Sequence, residues 1–293
     1  MFLVTMCCRG DNPARTYKPF RNGGTLINGK AVHQEGMAKI TLENVTHVYG
    51  SGEESVTAID DISMSILNDE FVSVIGPSGC GKSTLLYTVG GFIDSTEGTV
   101  SVNDDPIDGP GTDRGVIFQE YALYPWMTVE ENVTFGLKHA SPETDDVRAR
   151  ARQFIDRVGL DGFENKYPKE LSGGMKQRVA IARTLAYDPE VLLLDEPFGA
   201  LDAQTKEVLQ EDLLELCQDT NKTVLFITHD IEEAVYLSDR VVTMTAHPGK
   251  KKTEFDVALD HDRSRDDVFA TDEFVDVARR ARGAVREEMV LER

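Results

Sequence analysis

Two hydrophobic spacings divide this chain. From Ile40 to Val48 apolar and polar residues alternate, as in a strand with one buried face, and the run stops at Tyr49-Gly50. Val56, Ala58, Ile59, Ile62, Met64 and Ile66 continue in strand fashion up to a turn at Asn68-Asp69. Phe71–Ile75, Val116–Phe118, Val191–Leu194 and Thr223–Ile227 are short, mostly apolar runs that read as buried strands. Thr99–Val102 and Val241–Met244 are smaller strands. Between about Glu120 and Asp188 the spacing becomes helical. Val147, Ala151, Phe154, Ile155 and Val158 share one face of an amphipathic helix within Asp145–Leu160, and Ser172-Gly173-Gly174 opens another that runs to Ala186. Helices are expected at Ala203–Gln218, Ile231–Leu237 and Thr271–Met289. Strands alternating with helices predict an α/β fold: a mostly parallel sheet covered on both faces, an antiparallel β edge, and an inserted α-helical subdomain over about 120–188. The main domain spans 37–250. Residues 251–293 form a short C-terminal extension with a helix.

Between the strand Phe71–Ile75 and the helix at Leu85-Leu86-Tyr87 lies Gly76-Pro77-Ser78-Gly79-Cys80-Gly81-Lys82-Ser83-Thr84. It fits G-x-x-x-x-G-K-[ST], the P-loop, in its strand-to-helix context. Three glycines let successive N–H groups face one anion, and the helix N-terminus adds partial positive charge. Lys82 would reach the β- and γ-phosphates of a nucleoside triphosphate, and the Ser83 hydroxyl would ligate Mg²⁺. The fold class is therefore expected to have a P-loop NTPase core. Cys80 inside the loop raises two readings: a small residue filling its slot, or a thiol ionised by the helix N-terminus and open to modification.

Composition narrows the function. The 293 residues carry a formal net charge of −20 with only 13 lysines. Such a balance argues against extended nucleic-acid contact, which needs Lys and Arg. Surplus carboxylate over the whole body looks like adaptation to high salt, where self-repulsion is screened. Residues 1–36 differ: five basic and two acidic side chains give them +3 and leave −23 for the rest. They lack periodicity, and are expected to be a disordered tail or the product of an upstream start codon, with Met37 the true start. No apolar run approaches the ~18 residues of a membrane span. Any membrane role must come through a partner chain. Four cysteines (Cys7, Cys8, Cys80, Cys217) have no metal-ligand spacing, which suits a reducing cytoplasm.

The run Val191–Leu194 ends in Asp195-Glu196. A buried strand that delivers an Asp to its C-terminal end supports the Mg²⁺ of P-loop NTPases, and the adjacent Glu196 could polarise an attacking water. Just upstream, Leu171-Ser172-Gly173-Gly174-Met175-Lys176-Gln177-Arg178 resembles the signature motif of ABC ATPases. It repeats the P-loop device with a Ser hydroxyl, two glycine N–H groups and a helix N-terminus aimed at an anion. The resemblance runs from about Ala38 to Gly249. It implies an ATP-hydrolysing subunit that binds ATP and Mg²⁺ and sandwiches ATP between the P-loop of one copy and Ser172, Gly173, Gly174 and Gln177 of a second. It further implies that Gln119 is the Q-loop glutamine sensing Mg²⁺ and that Asp202 of the D-loop lies across the dimer interface. His229 matches the switch histidine, and Tyr49 the aromatic that stacks on adenine.

One cassette without membrane segments implies an importer-type subunit on the cytoplasmic face of the membrane, docked on permease chains and served indirectly by a solute-binding protein. Tyr124-Pro125-Trp126-Met127-Thr128-Val129, Glu131-Asn132-Val133, Asp202-Ala203-Gln204-Thr205 and the stretch closing on Ala246-His247-Pro248-Gly249 resemble the nitrate, sulfonate and taurine import group. In that resemblance Glu120–Trp126 would line the groove for the permease. The rivals are an export ATPase, a soluble ABC ATPase acting on DNA or ribosomes, and a regulatory nucleotide binder.

Overall fold

Residues 26–27, 30–31, 37–140, 147–259 and 264–291 are described by a computed structural model. The expected tail or displaced start at residues 1–36 lies outside these, save for a small antiparallel pair of strands, β1 (Leu26–Ile27) and β2 (Lys30–Ala31).

Two sheets build the body. The larger has strand order β12-β11-β5-β10-β9-β8. Its strands are β5 (Phe71–Ile75), β8 (Arg114–Ile117), β9 (Val191–Asp195), β10 (Thr223–Ile227), β11 (Arg240–Met244) and β12 (Lys251–Asp256). All pairs are parallel except β11 with β12. The short apolar runs are central here because both faces are covered: Phe71, Leu192, Leu194, Val224 and Phe226 enter one core, while Val72, Val74, Leu193, Leu225 and Ile227 enter the other. Each such aliphatic side chain removed from water contributes about 1.5–3 kcal/mol. β12 was not expected. Its only buried residue is Phe255, so it has almost no hydrophobic period to read.

The expected antiparallel strands form a sheet of their own, ordered β4-β3-β6-β7. It comprises β3 (Ala38–Tyr49), β4 (Val56–Leu67), β6 (Glu97–Val102) and β7 (Asp105–Pro106). Ile40, Leu42, Ile62, Ile66 and Val102 pack with α1 (Lys82–Val89) into the second core. α2 (Val129–Ala140), α3 (Val147–Arg157) and α4 (Gly173–Ala186) pack on one another beyond β8. α5 (Ala203–Thr220), α6 (Ile231–Leu237), α7 (Arg265–Phe269) and α8 (Asp272–Leu291) follow, and α8 lies against α6, β11 and β12.

The two sheets meet at the turn after β11. Gly249 bridges Ile59, donates its N–H to Ala58 O (3.0 Å) and accepts from Asp60 N (2.9 Å). At the opposite end of the sheet Asp239 accepts the Phe71 N–H at 2.8 Å. Burial pushes its carboxyl up to about 6, against that hydrogen bond.

Candidate nucleotide-binding site

Parallel pairing brings four strand ends together. Ile117, Asp195 and Ile227 terminate β8, β9 and β10, and Ile75 delivers the loop Gly76–Gly81 into α1. Ligands of open α/β sheets bind at this carboxyl edge. Gly79 and Gly81 have φ of +79° and +94°. A Cβ on Gly81 would lie 2.6 Å from Ala58 O, so β4 presses on the loop from behind. Gly249 presses from the other side: a Cβ there would collide with Cys80 O, and one on Gly79 would come within 3.5 Å of His247 Nε2. Pro77 and Ser78 complete the curl, and Cys80 is buried behind it, with Sγ 2.8 Å from where a Gly76 Cβ would stand. That placement fits a packing residue rather than an accessible thiol.

Lys82 is buried and its ammonium donates to Gly76 O (3.0 Å) and Pro77 O (2.9 Å). Ser83 Oγ donates to Asp195 Oδ1 at 3.1 Å, and Tyr87 donates to Oδ2 at 2.7 Å. The Tyr87 hydroxyl is raised well above its usual range by burial and then by the Asp195 carboxylate, so it stays a donor. One hydroxyl and one carboxylate are hard oxygen ligands, the set that holds Mg²⁺ when substrate phosphates complete its shell. Among the described residues no cluster of three His, Cys, Asp or Glu could bind a metal without such help.

Glu196 follows β9 with φ +44°, and its N–H bonds Ile227 O at 2.9 Å. Its Oε2 lies 2.9 Å from His229 Nδ1. Gly199 leaves room here: a Cβ on it would be 3.8 Å from both Glu196 Oε2 and Gln119 Nε2. Gln119, Glu196 and His229 therefore face one space. Tyr49 is half exposed, bonds Thr84 Oγ1 through its hydroxyl (3.2 Å) and sets its ring edge-on to His47.

The signature residues lie elsewhere. Ser172 is exposed and caps α4, accepting from Met175 N at 3.3 Å. A Cβ on Gly173 would meet the Tyr121 hydroxyl (3.2 Å) and Leu201 (3.4 Å), and one on Gly174 would strike Thr205. Asp202 caps α5 through Thr205 N (3.1 Å), and the Thr205 hydroxyl first and its N–H second hold the carboxyl below the usual range. Gln177 differs from Ser172 in the expected set: its side chain is fully buried within this chain. The reason is helical period: Gly174, Gln177, Ile181 and Thr184 lie on the inward stripe of α4.

Sequence reasoning missed Tyr87 and the group behind His229. Tyr87 lies four residues after Ser83, one turn along the same face of α1, and that spacing was the available signal. Behind His229, Glu233 is buried and accepts from Thr228 Oγ1 and from Gln210 Nε2 (2.6 Å). Burial pushes its carboxyl up, against those bonds and the charge of Lys206.

A family model described as ABC transporter matches residues 59–199. An uncharacterised ABC transporter ATP-binding protein of Methanocaldococcus jannaschii is 47% identical over 252 residues, covering 86% of this chain and 93% of that protein. This chain belongs to the ABC transporter family. The cassette is also 47% identical to a nitrate import ATP-binding protein of Synechocystis, over 76% of this chain and 84% of that one. An aliphatic sulfonates import ATP-binding protein of Bacillus licheniformis is equally similar, at 47% over 76% and 87%. Among solved structures, a dimeric bacterial ABC transporter cassette superposes with a TM-score of 0.68 at 36% identity, over 75% of this chain and 99% of that one. The same cassette in a post-hydrolysis state bound to ADP and Pi gives 0.67 at 35%, over the same shares of the two chains. The cassette is thus an ATP-binding and ATP-hydrolysing subunit with an α/β NTPase fold. Among its described residues no helix is long and apolar enough to cross a membrane.

Proposed function

We propose that this cassette powers an ABC importer of nitrate, sulfonate, taurine or a similar small solute, working as a pair of identical copies on the cytoplasmic face of permease subunits. The observation that carries the reading is the separation of two anion-facing helix ends. The P-loop stands with Asp195, Glu196 and His229, whereas Ser172-Gly173-Gly174 packs on Tyr121, Leu201 and Thr205 and presents Ser172 outward. A second copy supplies what the first lacks. In that pair ATP is held by Gly76–Thr84 of one copy and met by Ser172 and the Gly173 N–H of the other. Lys82 turns from the loop carbonyls to the β- and γ-phosphates, and Tyr49 offers its exposed ring to adenine. Ser83, Asp195 and Gln119 would hold Mg²⁺, which would offset phosphate charge. Glu196 takes a proton from the attacking water while His229 orients Glu196 and faces the γ-phosphate. Asp202 stands at the seam.

Import is supported by the names of the nitrate and sulfonate relatives. Trp126, 69% exposed beside Tyr124, is an aromatic anchor of the kind that receives a partner helix. The acid surplus fits a cell interior of high salt. Hydrolysis and solution mass of the purified chain, with ATP, in molar KCl and in dilute buffer, test these points together. Turnover with an ATP-dependent doubling of mass in molar salt is expected. A monomer that turns over at full rate would remove the paired site, and full stability in dilute buffer would remove the halophilic reading. Assembly with the permease from the same operon, and with or without a solute-binding protein, separates import from export.

A further inference from the structure

The C-terminal extension reaches the loop that carries His229. Arg265 in α7 donates from Nη2 to Gln210 Oε1 at 2.8 Å, with its guanidinium over the rings of Tyr236 (4.3 Å) and Phe269 (4.9 Å). Gln210, on α5, is fully buried and turns its amide nitrogen to Glu233. With the acceptor taken by Arg265, the Gln210 amide has one orientation in which both bonds form. Glu233 accepts the Thr228 hydroxyl, and Thr228 Oγ1 accepts the Asp230 N–H at 3.0 Å. Lys206, one turn into α5 from Asp202, bonds Asp230 at 2.7 Å and lies 3.4 Å from Glu233. The residues on both sides of His229 are therefore fixed by one network whose centre, Thr228, Glu233 and Gln210, is buried, and its outer end is the half-buried Arg265 of the C-terminal extension. Arg282 of α8 adds a second tie to α6 through Glu232 at 3.1 Å.

We propose that Arg265 is a positioning residue for ATP hydrolysis: through Gln210 and Glu233 it sets the Thr228–Asp230 backbone, and hence the placing of His229 against Glu196. The proposal rests on the reading that His229 serves hydrolysis. Its energetic basis is that a partly satisfied buried network loosens as a unit, because each lost donor leaves a desolvated partner. The P-loop makes none of these contacts, so the network acts on turnover and not on ATP affinity.

The test is steady-state hydrolysis and ATP binding by the full chain, as wild type, Arg265→Ala, Arg265→Lys, Gln210→Leu and His229→Ala, with each of the first three changes also combined with His229→Ala. Arg265→Ala and Gln210→Leu should lower kcat by about three- to thirtyfold, the span of couplings within one hydrogen-bond network, with KM and ATP affinity unchanged. Arg265→Lys keeps the charge and a donor, and should restore most of the rate. Combined with His229→Ala, the Arg265 and Gln210 changes should lower the residual rate no further. A general loss of fold would lower ATP affinity and act equally in both backgrounds, and that result overturns the proposal. So does an unchanged kcat in Arg265→Ala and Gln210→Leu while His229→Ala is inactive. If His229→Ala keeps full turnover, the underlying role of His229 fails instead.

Discussion

The P-loop and the signature loop use the same device, glycines at a helix N-terminus, yet their surroundings differ. Behind the P-loop stand Ala58, Met244, His247 and Gly249, and Lys82 is buried against its carbonyls. The signature loop has an exposed Ser172 whose hydroxyl caps α4. The difference teaches that a helix end becomes a binding site through what backs it. The P-loop is preorganised by its own chain, whereas the signature loop, in the proposed pair, is half a site completed by a second copy.

The largest effect expected from this contrast is on chemistry. Glu196→Gln should cut hydrolysis by about 10²–10⁴-fold while ATP binding and ATP-driven pairing persist, measured by phosphate release and light scattering. Near-normal turnover would show that Glu196 is not the base. Next, Gly249→Ala should weaken the P-loop without touching any phosphate ligand. The clash with Cys80 O is with backbone, and forced overpacking costs about 1–3 kcal/mol, read as a lower melting temperature and weaker ATP binding by the isolated chain. Ser172→Ala is the complementary probe. It should cost about 1 kcal/mol of α4 capping, lower hydrolysis by the pair and leave single-copy ATP affinity unchanged. If it weakened single-copy binding, the two loops would share one site within one chain. The smallest effect concerns the far end of the sheet. The folded-state carboxyl of Asp239 is raised to about 6, so its stabilising contribution is present below its unfolded value and is lost as pH rises through 6. Asp239→Asn keeps the acceptor for Phe71 N–H. It should therefore be the more stable protein above pH 7 by about 1 kcal/mol, allowing for partial solvent access, with the gap closing near pH 4 in paired thermal melts.

Most of the architecture was legible in the chain because the buried strands announce themselves as apolar runs. The candidate site was equally legible as a place in the fold, since Gly76–Thr84, Asp195-Glu196 and His229 are all brought to one sheet edge by parallel pairing. What escaped notice depends on contacts that no short motif encodes. β12 pairs through its backbone and has one apolar residue, so no period betrays it. Gln177 sits inside a motif that also holds the exposed Ser172, and only the helical phase of α4 shows that it turns inward with Gly174. Arg265 and Gln210 are 55 positions apart, and a charged residue in a polar stretch gives no sign of a buried amide waiting for it.

Glu196 carries one more consequence. At φ +44° it holds a left-handed backbone that Gly or Asn adopts more readily, at a cost to Glu of about 1–2 kcal/mol. Selecting variants of this protein for heat resistance alone would therefore favour replacement of its proposed base, and the hardiest clones from such a screen would be idle ones. Thermal tolerance and turnover pull in opposite directions at this one position, so a directed-evolution campaign needs an activity gate from its first round.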